Sequence, residues 1–287
     1  MNTNVKSLST RIVAEGLVFG ESPRWHDGRL WASDMLGGKV VVIGADGHVE
    51  ESAAVPTGPS GLGWLLDGRM IVVSMADAKL LAFKDGAGQP YADLSISRGT
   101  PNDMVVDARG RAYVGNAGCN LFAGVLDPKP TNLVLVEDGV AREVASDLIF
   151  PNGMVLTPDG STLIVAESHA HRLTAFDVDS ADGSLSRRRI FADLGKRTPD
   201  GICMDADRAV WAGTGESGEF IRVLEGGKIT HTIPTDGRFA TACVTGGADR
   251  RSLFLVTAHF SPELFAKGQT SARIEMTAVE TAGIGNP

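Results

Sequence analysis

Six polar residues head the same short pattern along the chain: Glu21, Ser60, Asn102, Asn152, Asp200 and Thr241, at separations of 39, 42, 50, 48 and 41. Each is followed by an apolar run, a turn and a second apolar run, as in Asn152-Gly-Met-Val-Leu156, Asp159-Gly160 and Thr162-Leu-Ile-Val165. If these heads converge in space, they form a set of oxygen donors with two carboxylates and neither Cys nor His. Hard oxygen ligands carrying two negative charges suit Ca2+, Mg2+ or Mn2+. Taken alone, Pro151-Asn152-Gly153 or Pro199-Asp200-Gly201 reads as a plain turn. The common phase favours a site instead, because converging carboxylates repel one another and a bound cation resolves the repulsion.

Elements must exist that bring residues so remote in sequence together. A period of 40–50 residues with strand–turn–strand content is the mark of a propeller blade. Between the copies lie second hairpins: Lys39-Val-Val-Val-Ile43 turns at Asp46-Gly47, and Leu133-Val-Leu-Val136 turns at Asp138-Gly139, which is hairpin chemistry. Two hairpins per repeat make four antiparallel strands. The expectation is an all-β, six-bladed β-propeller formed by residues 1–287 as a single domain. Its ring is closed by pairing N-terminal Arg11-Ile-Val-Ala14 with C-terminal Ala272 to Thr277, since an open ring leaves unpaired edges. A β-sandwich with similar turns is the alternative, and it does not require a fixed period. Propeller blades start their innermost strands at one end of the central channel, so the six heads face a common point.

Composition limits the partners. The 287 residues include 43% apolar and 22% charged residues and 35 glycines, the profile of a globular chain rich in turns. The net charge is −8, which opposes binding to phosphate backbones or anionic lipid, so neither nucleic acid nor membrane is expected as a partner. Three cysteines, Cys119, Cys203 and Cys243, are widely spaced and suggest neither a disulfide framework nor a zinc knuckle. Residues Met1 to Gly20 lack the basic start and apolar run of a signal peptide, so a cytoplasmic location is expected.

Glu21-Ser-Pro-Arg-Trp25, Pro101-Asn102-Asp103, Pro151-Asn152-Gly153-Met154 and Pro199-Asp200-Gly201-Ile202, with Ala166-Glu-Ser-His-Ala-His-Arg-Leu-Thr-Ala-Phe176 after the third, resemble the senescence marker protein/gluconolactonase/luciferin-regenerating-enzyme-like family. The resemblance runs from Val13 to Glu275. It implies a six-bladed propeller holding one divalent cation, Ca2+ foremost and Zn2+, Mg2+ or Mn2+ as alternatives. Glu21, Asn152 and Asp200 match the family's metal ligands. Asn102 matches a further Asn beside the metal that contacts substrate or a metal-bound water, and Asp103 follows it. The implied activity is hydrolysis of lactones, with related members that hydrolyse organophosphates. A cation that polarises the lactone carbonyl removes the need for a serine nucleophile and oxyanion hole. A neighbouring carboxylate can then accept the proton of the attacking water, and Asp200 is assigned that role.

The chain departs from the sugar-lactone members at two substrate handles. Where they carry an Arg two residues before the second Asn, this chain has Thr100, and its nearest Arg is Arg98. The position aligned with their acidic residue is Asn120. A site that loses its hydroxyl-binding groups loses its selectivity for hydroxyl-rich substrates, so a less polar lactone or ester is expected. Arg98, Asn120 and His259 join Asn102 and Asp103 as candidate substrate contacts. Phe19, Phe150 and Phe239 neighbour the heads and are read either as an apolar wall or as core. Ser60 and Thr241 have no triad context. Two competing readings are a phosphotriesterase-like hydrolase on the same metal and a non-catalytic propeller that binds a small molecule.

Overall fold

The computed structural model describes residues 5–123 and 126–284; the ends of the expected 1–287 span, residues 1–4 and 285–287, lie outside the described residues. The chain folds as six antiparallel sheets arranged in a ring, a six-bladed β-propeller. Blade one comprises Gly20–His26, Arg29–Asp34, Lys39–Ile43 and Val49–Ala54; blade two Pro59–Trp64, Met70–Ser74, Lys79–Lys84 and Ala87–Asp93. Blade three is Pro101–Val106, Ala112–Asn116, Pro130–Glu137 and Val140–Ile149; blade four Pro151–Leu156, Thr162–Glu167, Arg172–Val178 and Leu185–Asp193. Blade five is built on Ile202–Asp205, Val210–Gly213, Glu219–Val223 and Ile229–Pro234. Blade six takes Phe239–Gly246, Ser252–His259 and Ser271–Ala278 from late in the chain and its outermost strand, Arg11–Leu17, from the beginning. In that outer pair Arg11 lies opposite Met276 and Leu17 opposite Ala272.

Blade five exceeds four strands because both ends of the chain return to it. Lys6–Ser7 adds in parallel to its outer edge, and Gly283–Ile284 pairs with Met204 and Asp205 on its inner edge. The latter pair lies at the channel end remote from Asp200. A side chain at Gly283 would have its Cβ 1.7 Å from Thr245 Oγ1, so only glycine fits there.

The cores lie between blades, where the strands' alternate faces meet. Trp25 of blade one stacks on Phe254 of blade six at 5.6 Å, Trp31 meets Trp64 of blade two edge-on at 5.4 Å, and Trp211 is buried between blades five and six. The hairpin joining first to second strand needs a left-handed residue. Glycine supplies it in four blades, whereas Arg208 (φ 59°) and Arg250 (φ 56°) take it in blades five and six. Among the described residues no helix is long and apolar enough to cross a membrane.

Candidate functional site

Each innermost strand is irregular at the same point. The pairing with the second strand slips between Glu21 and Arg24, Pro59 and Leu62, Pro101 and Met104, Pro151 and Met154, and Ala240 and Ala242. Such a bulge re-aims the side chain it carries. In blade five the equivalent stretch precedes the strand: Asp200 N donates to Gly213 O at 2.9 Å, and Gly201 N to Thr241 O of blade six at 2.8 Å. The next residue must then allow close approach of the neighbouring blade. A Cβ on Gly153 would stand 2.5 Å from Asp200 O, and one on Gly201 2.2 Å from Ala242 Cβ. The Pro-Asn-Gly and Pro-Asp-Gly sequences thus serve blade packing, and their polar heads face the axis.

Four blades are linked by a chain of hydrogen bonds around that axis. Ser60 Oγ donates to Asn102 Oδ1 at 2.9 Å, Asn102 Nδ2 to Asn152 Oδ1 at 2.9 Å, and Asn152 Nδ2 to Ser168 Oγ at 3.2 Å. Ser168 Oγ closes the chain on the carbonyl of Pro199, the residue before Asp200, at 2.7 Å. All six heads are buried. Asp200 Oδ1 and Thr241 Oγ1 are buried with no hydrogen-bond partner.

Electrostatically the ring is strained. Burial first, then the charges of Asp200 and Asp103, hold the Glu21 carboxyl well above the usual carboxylate range, against the backbone N–H of Ser22 and the charge of Arg24. Burial and then the charge of Asp103 likewise raise Asp200, opposed by the Asn152 amide. Asp103 is itself neutralised: Arg24 Nη2 meets its Oδ1 at 2.9 Å with both side chains buried, and Ser22 Oγ and Met104 N donate to the same oxygen at 2.7 and 2.8 Å. Arg24 also donates to Leu62 O and Met104 O, tying blades one, two and three beneath the ring. On its far side is a cavity of about 200 Å³ lined by Arg24, Trp25, His26, Leu62 and Trp64. Among the described residues Glu21 and Asp200 are the two ring carboxyls that form no ion pair.

These residues fit a divalent cation. Asp200 Oδ1 is an orphaned buried acceptor, Glu21 brings a second carboxylate, and Asn152 Oδ1 keeps one lone pair after accepting from Asn102. Two carboxylates and an amide oxygen match the preference of a hard cation. No group of three or more His, Cys, Asp and Glu suited to a metal occurs among the described residues, so a cation on this ring relies on asparagine.

The remaining candidates lie elsewhere. The Arg98 guanidinium grips both carboxylate oxygens of Glu143, on the outermost strand of blade three, at 3.0 and 2.8 Å. Asn120 is exposed and its Oδ1 accepts from Phe122 N at 3.0 Å, starting the short helical turn Leu121–Ala123. His259 is exposed at the mouth end of the second strand of blade six. Thr100 Oγ1 accepts from Leu121 N at 3.1 Å and so anchors the loop that carries Asn120. Phe19 and Phe239 stand 6.2 Å apart and share a cluster with Phe260 and Phe265, whereas Phe150 stacks on His169. Arg24, Ser22 and Ser168 are functional neighbours that the repeat does not single out. For Arg24 the signal was a charge on an innermost strand, inside the very motif that carries Glu21.

Residues 19–259 match the family model described as SMP-30/Gluconolactonase/LRE-like region. The chain is 25% identical to regucalcin of Gallus gallus over 83% of each chain, and 24% identical to a pentonolactonase of Haloferax volcanii over 87% of this chain and 84% of that one. Among solved structures it superposes on a calcium-binding protein, regucalcin, of Agrobacterium tumefaciens with a TM-score of 0.81, at 20% identity and 98% coverage of both chains. With its blades, its four motifs and this match in agreement, the chain belongs to the SMP-30/gluconolactonase/LRE-like family.

Proposed function

We propose that the protein is a divalent-cation-dependent hydrolase of lactones whose site is the ring of Glu21, Asn102, Asn152 and Asp200. The observation that carries this reading is Asp200 Oδ1, buried and unpartnered beside a second carboxyl that burial and charge hold up in pKa. Kinship with a pentonolactonase supports the lactone, and kinship with a calcium-binding regucalcin supports Ca2+.

Glu21, Asn152 and Asp200 would hold the cation. When bound, it would supply a positive charge that polarises the lactone carbonyl and lowers the cost of the negative charge developing on its oxygen. Asp200 has two oxygens, so one can serve as ligand while the other accepts the proton of the attacking water. As that proton transfers, the water oxygen bonds to the carbonyl carbon. The ring C–O bond then breaks, and the leaving alkoxide oxygen recovers the proton from Asp200, so that one water is added and the carboxylate is restored. Asn102 keeps one Nδ2 hydrogen after donating to Asn152, and presents it to the substrate. Its amide is fixed for this by Ser60. Arg24 holds the charge of Asp103 in check, so the ring does not carry three open carboxylates.

Hydrolysis of a lactone panel by pH-stat, before and after chelation, tests the reading. Activity is expected to vanish with the cation and return with Ca2+; undiminished turnover by the stripped protein refutes it. Asp200→Asn, which keeps the shape and removes the base, should lower kcat by roughly 10²–10⁴-fold with the circular dichroism of the folded protein retained.

A further inference from the structure

The ring is only the lower tier of the channel mouth. Two positions before the heads stand Phe19, Gly58, Thr100, Phe150, Thr198 and Phe239, which precede or open the innermost strands on the side where the chain enters them. None of the six is charged. The Thr100 hydroxyl oxygen accepts from Leu121 N. Arg98 is held by Glu143, and the Asn120 carbonyl oxygen by Phe122 N. Thr100 Oγ1, the Arg98 guanidinium and Asn120 Oδ1 are thus each drawn into contacts that build loops.

Apolar surface takes their place, from opposite sides. Second-to-third-strand loops lie at the mouth, because each second strand ends beside the head of the first. Two of them are long, with residues 117–123 and 126–129 described in blade three and 260–270 in blade six, and blades three and six oppose each other across a six-membered ring. The blade-six loop carries the short helix Pro262–Ala266, capped by Ser261 Oγ, and brings Phe260 and Phe265 against Phe19 and Phe239. Ring centroids are 4.7 Å apart for Phe239 and Phe260, 5.4 Å for Phe19 and Phe265, and 5.8 Å for Phe260 and Phe265. Three of these four rings remain part-exposed. From blade three Phe122, 46% exposed, reaches to within 3.7 Å of where a Cβ on Gly58 would stand.

Resting on the proposed lactone hydrolysis, we infer that the substrate is a lactone bearing an apolar alkyl or aryl substituent, which packs against the phenylalanine cluster and Phe122 while the ester group meets the polar ring below. The occupant follows from continuity: the phenylalanine cluster starts at Phe19 and Phe239, two residues before the heads Glu21 and Thr241, so a substituent on a lactone seated at the ring has this apolar surface beside it. Each methylene buried contributes about fourfold in binding, so a pentyl chain that is half covered gains at least tenfold.

Three six-membered lactones isolate the substituent: δ-valerolactone, δ-decalactone with its pentyl chain, and D-glucono-1,5-lactone. With Ca2+ present, kcat/KM for δ-decalactone should exceed that for both others at least tenfold. Phe239→Ala and Phe265→Ala should cut the decalactone-to-valerolactone ratio about tenfold, a ratio in which general damage to the fold cancels. Phe122→Ser, on an exposed side chain, should lower the same ratio without touching the core. Equal or better turnover of gluconolactone overturns the inference and leaves lactone hydrolysis standing. If no lactone is hydrolysed, the function proposed above fails. Calorimetric binding of δ-decalactone and δ-valerolactone to Asp200→Asn protein then decides the apolar site separately, tighter binding of the former supporting it and equal binding refuting it.

Discussion

Glu21 and Asp200 are two buried carboxyl groups on one ring, and their titration carries a signature. Both are raised, by burial first and then by neighbouring negative charge. A carboxyl whose folded pKa lies above its unfolded value stabilises the protein below the unfolded pKa, about 4, and that contribution is lost as pH rises through the folded value. A cation held on the ring would require the deprotonated form and would offset the burial and repulsion that raise both groups. The rise in melting temperature on adding Ca2+ to stripped protein should therefore be large at pH 8 and shrink steadily toward pH 5. Differential scanning fluorimetry with Ca2+ and with chelator across that range measures it, and a pH-independent increment would contradict the assignment. Glu21→Gln removes one of the repelling pair, so the stripped variant should melt higher than stripped wild type by roughly 2–4 °C yet gain little from Ca2+. That the six heads share one end of the ring was legible in the sequence from repeat phase; the choice of Glu21, Asn152 and Asp200 among them as candidate ligands came from the family resemblance. Arg24 and Ser168 were not legible, because their roles depend on contacts to Asp103 and Pro199 in other blades, which no spacing within their own motifs reports.

The innermost strand, its bulge and the small residue after the head make up the element that aims each donor. Gly153 shows how little slack there is, since the atoms a Cβ would strike are Asp200 O at 2.5 Å and Gly201 Cα at 2.7 Å, both backbone. Gly153→Ala must therefore push blade four off blade five beside Asp200, the carboxylate proposed as the base. We expect it to cost about 1–3 kcal/mol of stability, as overpacking does, and to lower kcat/KM at least tenfold through misplacement of Asp200. Gly160→Ala is the contrasting case, a left-handed hairpin residue with open space around it. Strain there should cost about 1 kcal/mol and leave kcat/KM where it was, so denaturant melts and steady-state rates on the two variants separate packing from aim. The hairpins themselves could be read from Asp-Gly punctuation. The helix Pro262–Ala266 and the two-residue strands at Lys6 and Gly283 could not, since pieces so short carry no periodicity; the helix depends on its Ser261 cap and the strands on the edges that blade five offers them.

Across the whole molecule, the ring has no beginning until the chain's two ends meet in blade six. Arg11–Leu17 covers the edge of Ser271–Ala278 and contributes Ala14 and Leu17 to the largest core cluster. Only one residue, Phe19, then separates Val18 from the blade-one strand that carries Glu21, and Val18 and Phe19 are themselves pinned through their N–H groups to Asp34 Oδ1. Closure and site assembly are thus coupled through a single stretch of backbone. Deleting residues 1–17 should expose a strand edge and two apolar side chains, lowering the melting temperature by well over 10 °C or leaving aggregated protein, because unpaired edges associate. Any soluble fraction should bind Ca2+ more weakly, since Glu21 loses the anchor upstream of it. Deleting only residues 1–7 removes the short parallel strand from the outside of blade five and keeps the ring closed. That variant should melt within a few degrees of the full chain and bind Ca2+ as tightly. Thermal unfolding, gel filtration and Ca2+ calorimetry on the pair discriminate sharply: if the longer deletion behaves like the shorter one, the ring is held by its inter-blade cores alone, and Glu21 owes its position to blade one without help from the closing strand.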